Sequence, residues 1–160
     1  MGTLVSINVS ETKGVKKKSV SRARVDAEGI AGDAHAGPWH RMVSLLAEES
    51  IQKMRDAGLA VGPGDFAENL TTRGVDLLGL PLGARLRVGS SVVLALTQHG
   101  KECHSRCAIY YQAGDCVMPR EGVFAEVLFG GEIAAGDSIE VLPAGPADEG
   151  RGEDADPGAP

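Results

Sequence analysis

Aromatic residues are scarce in this chain. One Trp, two Tyr and three Phe make up 4% of 160 residues. Against 22 glycines, that scarcity predicts short strands and frequent turns rather than long helices. Net positive charge is also missing: the balance is −6, which argues against nucleic acid as a partner. No apolar run approaches the ~20 residues a membrane helix needs, so no membrane partner is expected. The N-terminal stretch MGTLVSINVSETKG has no basic segment leading into an apolar one, and reads as lacking a secretory signal. Cysteines number three, an odd count that fits free thiols in a reducing compartment better than a disulfide framework. A cytoplasmic location is the expectation. No internal repeat is visible.

What is present suits one soluble domain. Hydrophobic content is 42%, ordinary for a globular protein. The pattern predicts strands at Thr3 to Val9, Arg41 to Leu46, Arg85 to Val88, Ser91 to Thr97, Gly122 to Phe129 and Ser138 to Leu142. A helix is predicted over Ala47 to Ala57, with Glu48 and Glu49 in its first turn, Lys53 and Arg55 near its end and Gly58 as its stop. Val75 to Leu82 is read as holding one helical turn. The basic run from Lys13 to Arg24, with Lys16 to Lys18 consecutive, reads as a solvated face, or else as a patch attracting a phosphorylated ligand. Gly29 to His40 reads as a loop carrying Asp33, His35, Trp39 and His40. The fold class implied is mainly β, closed or barrel-like, with one clear helix. Residues 1–143 form the domain. The acidic, Gly/Pro-rich residues 144–160 read as a disordered tail.

The stretch Gly100 to Arg120, GKECHSRCAIYYQAGDCVMPR, holds Cys103, Cys107 and Cys116 at the exit of an apolar strand. Lys101, His104, Arg106 and Arg120 lie among them and His99 just before. Nearby positive charge lowers a thiol pKa and favours the reactive thiolate. Three readings stand. The thiols are buried and inert; or Cys103, Cys107, Cys116 and one of His99 or His104 hold zinc, at spacings that fit structural sites loosely; or a reactive thiol carries sulfur or ligates a soft metal. Asn69, Thr71 and Thr72 add neutral hydrogen-bonding groups suited to a polar ligand or to turn capping.

Four stretches carry a resemblance to a known family. They are GIAGDAHAG at Gly29 to Gly37, RMVSLL from Arg41, GDFAENLTTRGVDLLGLPLGARLRVG from Gly64 to Gly89, and the cysteine segment through GGEIAAGDSIEVL. In this order, over roughly residues 1–143, the chain resembles a stand-alone MOSC domain, named for the C-terminal part of molybdenum cofactor sulfurases. The resemblance implies a β-barrel-like fold and a cysteine that handles sulfur and the molybdenum cofactor (molybdopterin). It places Cys107 where amidoxime-reducing members ligate molybdenum, with Cys103 as second choice and Asn69 near the cofactor. Arg41 falls in one matching stretch and His35 in another. With Thr71, Thr72, Lys101, His104, Arg106 and Arg120 they complete the candidate cofactor contacts, while Cys103 or Cys116 would be the resolving thiol. Ala67 and Glu68 replace the arginine and proline of the reducing branch. A glutamate there would repel the pterin phosphate, which argues against a reductase. A sulfurtransferase-type sulfur carrier is the implied activity, with a pterin cofactor, a sulfur donor such as a cysteine desulfurase and a molybdoenzyme acceptor as partners. A zinc-stabilised non-catalytic binding or accessory module is the alternative.

Overall fold

The computed structural model describes residues 2–12, 16–34, 36–38, 42–99 and 122–143. Eleven strands, one α-helix and one 3-10 turn make up that part. The strands are β1 (Gly2–Val9), β2 (Lys18–Val20), β3 (Arg22–Asp26), β4 (Gly29–Ile30), β5 (Val43–Ala47), β6 (Leu70–Arg73), β7 (Arg85–Val88), β8 (Val92–His99), β9 (Val123–Phe129), β10 (Gly131–Ala134) and β11 (Ser138–Val141). The main sheet runs β11-β7-β8-β9-β5-β6-β1, and β11 pairs back onto β1. Seven strands therefore close into a barrel with no free edge. β2 is added on the far side of β1, and β10, β3 and β4 form a separate small sheet. The mainly β, barrel-like expectation holds.

Alternation along the strands decides what the barrel encloses. Leu4 and Ile7 of β1, Val43 and Leu45 of β5, Leu70 of β6, Leu86 and Val88 of β7, Leu94 and Leu96 of β8, and Val123 and Ala125 of β9 share one core. The alternate residues Leu46 and Phe124 face the other way. They join Ile51, Met54, Phe66 and Ala67 in a second, outer core. That core lies under α1 (Glu48–Asp56), whose buried Ile51 and Met54 are one turn apart.

The helix behaves as its charges predict. Glu48 meets Arg73 at 2.9 Å, and Glu49 accepts the Gly74 N–H. At the other end Gly58 N–H bonds the Arg55 carbonyl and Leu59 N–H that of Met54, with Gly58 at φ 101°. This is the paired C-terminal closure that a left-handed glycine permits. The expected helical turn is Leu77–Gly79, capped by the Asp76 carboxylate.

Three expectations change. The basic run is not simply a solvated face: it contains β2 and β3, and Lys17 within it is 5% exposed. The loop read from Gly29 opens with the two-residue strand β4. β6 and β10 are strands that the sequence pattern did not mark, being four residues long each and, in β6, polar at three positions.

Replacing Leu45, fully buried between β9 and β6, by alanine is expected to lower unfolding free energy by about 2–5 kcal/mol. Leu82, 58% exposed, should cost within about 0.5 kcal/mol when truncated. Urea denaturation of both variants checks the contrast.

Candidate functional site

β5 and β6 run parallel, whereas the other barrel pairings are antiparallel. A parallel pair needs a crossover, and here it is α1 followed by the 61–69 loop. The loop returns over the outer side of β1, β5 and β6, where alternation would otherwise put Asn8, Ser44 and Thr71 in water. All three are buried, as are Glu68 and Asn69 beside them.

Their polar atoms pair with one another. Asn69 Oδ1 accepts the Ser44 N–H at 2.9 Å and its hydroxyl at 3.1 Å, while Asn69 Nδ2 donates to the Asn8 carbonyl at 3.2 Å. The Asn8 N–H in turn donates to the Asn69 carbonyl at 2.7 Å. One side chain thus ties β1, β5 and the start of β6. A second chain of bonds runs through Asn8 and Thr71 to Glu68. The hydroxyls of Ser6 and Ser19 donate to Asn8 Oδ1 at 2.6 and 2.8 Å. Asn8 Nδ2 donates to Thr71 Oγ1 at 3.1 Å, and that hydroxyl donates to Glu68 Oε2 at 2.7 Å. The Gly64 N–H reaches the same oxygen at 2.9 Å. Glu68 Oε1 is buried with no partner among the described residues. Burial pushes the Glu68 carboxyl above its ordinary 4.5, partly opposed by the Gly64 N–H, the Thr71 hydroxyl and the backbone N–H groups of Glu68 and Phe66.

The backbone accepts strain to make this turn. Ala67 sits at φ 64°, a left-handed conformation that a side chain normally avoids. Gly64, at φ 87°, has no room for a Cβ, which would run into the Lys17 carbonyl. Lys17 N–H bonds the Gly64 carbonyl at 2.8 Å. Its ammonium meets Asp33 Oδ1 at 2.8 Å, both side chains being shut from solvent. Asp33 also accepts the Ser10 N–H at 3.0 Å.

Of the expected site residues, Asn69, Thr71 and Thr72 are fully buried. Asn69 and Thr71 have their side chains bonded within the protein. Thr72 Oγ1 has no partner among the described residues. The carboxyl of Glu68 is inside the wall, so it does not present surface charge to a phosphate. His99 lies at the end of β8, its Nε2 2.8 Å from the Leu80 carbonyl. Because a carbonyl only accepts, Nε2 donates in that contact. Cys103, Cys107, Cys116, His35, His40, Trp39, Arg41, Lys101, His104, Arg106 and Arg120 lie outside the described residues, as do residues 144–160. The three cysteines fall in residues 100–121, whose flanking His99 and Val123 are partners across β8 and β9.

The sequence reading did not single out Asn8, Lys17 or Ser44, and it set Glu68 against a phosphate rather than inside the wall. Their one signal was position: polar residues in or beside strands, at alternate sites that look solvent-facing. A cavity of about 430 Å³ opens between α1 and the 3-10 turn, lined by Ala47, Glu49, Lys53, Asp76 and Leu78. None of the expected site residues lines it. Among the described residues, no three His, Cys, Asp or Glu side chains cluster as metal ligands, and no helix is long and apolar enough to cross a membrane.

Removing the Asn69 amide strands the Ser44 N–H and the Asn8 carbonyl. Asn69→Ala should therefore cost about 1–3 kcal/mol per buried group left unmet. Thr72→Val, which replaces an unpartnered hydroxyl by a methyl of similar size, should leave stability unchanged or raise it. Thermal and denaturant unfolding of the two variants provide the measurement.

Solved structures share this architecture. The YuaD protein from Bacillus subtilis matches with a TM-score of 0.72 at 21% identity, over 87% of this chain and 94% of that one. YiiM from Geobacillus stearothermophilus matches at 0.69 with 19% identity, over 89% and 76%. YiiM from Escherichia coli matches at 0.66 with 20% identity, over 90% and 71%. At such identities the likeness speaks for the fold. No curated protein matches the chain. The family model of the MOSC domain matches residues 32–140, more than half of the sequence and all of the strands from β5 to β10, and the chain belongs to the MOSC domain family.

Proposed function

We propose that this MOSC domain handles sulfur for the molybdenum cofactor, with Cys107 as the thiolate that accepts and carries it. The observation supporting the reading is where the cysteines attach. All three belong to residues 100–121, between two barrel strands paired at His99 and Val123, so a rigid wall carries a reactive segment. Lys101, His104 and Arg106 are neighbours of the thiols in sequence and favour the anionic form.

The chemistry needs no metal. The Cys107 thiolate attacks the outer sulfur of a donor persulfide, and the donor S–S bond breaks. The donor leaves as thiolate, and Cys107 keeps the sulfur with its proton as a persulfide. No net oxidation occurs. Cys103 or Cys116, as thiolate, then attacks the inner sulfur. That step forms a disulfide within the segment and releases hydrosulfide to the acceptor.

The fit to the cofactor itself is narrower. Asn69 and Thr71, expected beside it, are enclosed and bonded within the wall, and Thr72 is enclosed as well. Contacts to a phosphorylated pterin therefore fall to Arg41, Lys101, Arg106 and Arg120, with His35 and His104. No step is drawn through the molybdenum atom. As ligand, Cys107 would supply the soft sulfur that the metal prefers.

Incubation with a small-molecule persulfide followed by mass spectrometry should add one sulfur to the wild-type chain. Cys107→Ala should lose that addition, while Cys103→Ala and Cys116→Ala keep it and one of them slows its release. Equal loading of Cys107→Ala and wild type would overturn the assignment. Near-stoichiometric zinc in the purified protein, with thiols that label only after chelation, would move the zinc-stabilised module to first place.

A further inference from the structure

The directed chain of bonds that ends at Glu68 constrains where that carboxyl can carry a proton. Oε2 already accepts two hydrogens, from Thr71 and from Gly64. In this arrangement the Thr71 hydroxyl donates to Oε2, because its oxygen accepts from Asn8 Nδ2, whose own oxygen accepts from Ser6 and Ser19. A proton on Glu68 therefore sits on Oε1, which has no partner among the described residues. Without that proton, a full charge lies in a closed wall with one oxygen unsolvated, a costly state.

Among the described residues, the backbone N–H groups of Phe66 and Glu68 offset that cost in part, and the charges on surrounding elements add nothing. Lys17 and Asp33 are paired with each other. Asp65 of the loop accepts the Gly62 N–H, and Arg55 of α1 holds the Val61 carbonyl and Gln52. Arg73, beyond Thr71 and Thr72 on β6, is paired with Glu48. β1 and β5 bring only Asn8, Ser6 and Ser44 to this face. The same carboxyl fastens its own loop: it bridges Gly64, four residues before it, to Thr71 of the wall. The loop is already bent through a left-handed Ala67, a strain held only while those ties hold.

We propose that Glu68 is a proton-operated latch on the 61–69 loop: carrying a proton it keeps the loop shut against the wall of β1 and β6, and on losing it loosens the loop. The sign follows from burial, which favours the protonated carboxyl in the closed loop. Closure is at full strength below the ordinary 4.5 and weakens as pH rises through the closed-state value. Opening gives the carboxylate water and uncovers Asn8, Asn69 and Thr71, the neutral groups that the closed wall hides.

Hydrogen–deuterium exchange of the 62–69 amides, corrected for intrinsic rates, tests the latch in the full chain across pH 5 to 9. In the wild type, protection should fall about tenfold per pH unit between the ordinary carboxyl value and Glu68's own. In Glu68→Gln it should be flat. The same pH slope in both proteins would overturn the proposal. Should Glu68→Gln fail to fold, carbon-labelled glutamate NMR of the wild type decides. One carboxyl titrating above the rest, with the 62–69 amides following its midpoint, supports the latch. Glutamates that titrate together, or loop amides that ignore the midpoint, refute it.

Discussion

The parallel pairing of β5 with β6 is the constraint on which the rest of the architecture depends. Antiparallel neighbours can be joined by tight turns, but these two strands require the chain to travel back along the barrel before re-entering it. The return path, α1 and the 61–69 loop, creates a second layer outside a barrel that has already closed. A single-layer barrel of this size would leave half of each strand's residues in water. Here the outward residues of β1, β5, β6 and β9 acquire a cover, and each had to suit it. Leu46 and Phe124 meet α1 with apolar surface, while Asn8, Ser44 and Thr71 meet the loop with polar groups.

That division explains where the family stretches go. Asp33 and Ser44 come from two neighbouring stretches and Gly64, Glu68, Asn69 and Thr71 from a third, and all serve one joint. Much of what marks the sequence as a MOSC domain is thus the construction of this wall. Hydrogen bonds inside such a joint are individually modest, yet each buried group left unmet is expensive. The residues are consequently interdependent: few can change alone.

The sequence made most of the barrel legible, because β1, β5, β7, β8, β9 and β11 carry apolar alternation or short apolar runs. α1 was readable from its charges and from Gly58. β6 was not, because LTTR is polar where the joint needs hydroxyls. β2 and β3 were hidden in a basic run, since strands with mostly exposed faces carry no hydrophobic signal. Lys17 illustrates the limit most sharply. Nothing in three consecutive lysines tells which one pairs with Asp33 in the interior, since that depends on the approach of Gly64 to its backbone. The cysteines stood out from composition alone, and Asn69 from family likeness. What Asn69 touches could come only from the fold.

Barrel closure has a consequence in time. The first strand, β1, is joined to the last, β11, through Gly2 with Ile139 and Thr3 with Ser138, and β11 also completes the edge of β7. During synthesis β1 emerges well before β11 and must wait for nearly the whole domain before this partner exists. Until then the nascent sheet has two open edges, and both lie beside strands with inward faces of Leu, Ile and Val. Unpaired edges of that kind recruit other chains. The short β11, made last, is therefore the piece that turns a sheet prone to association into a barrel with no edge to offer.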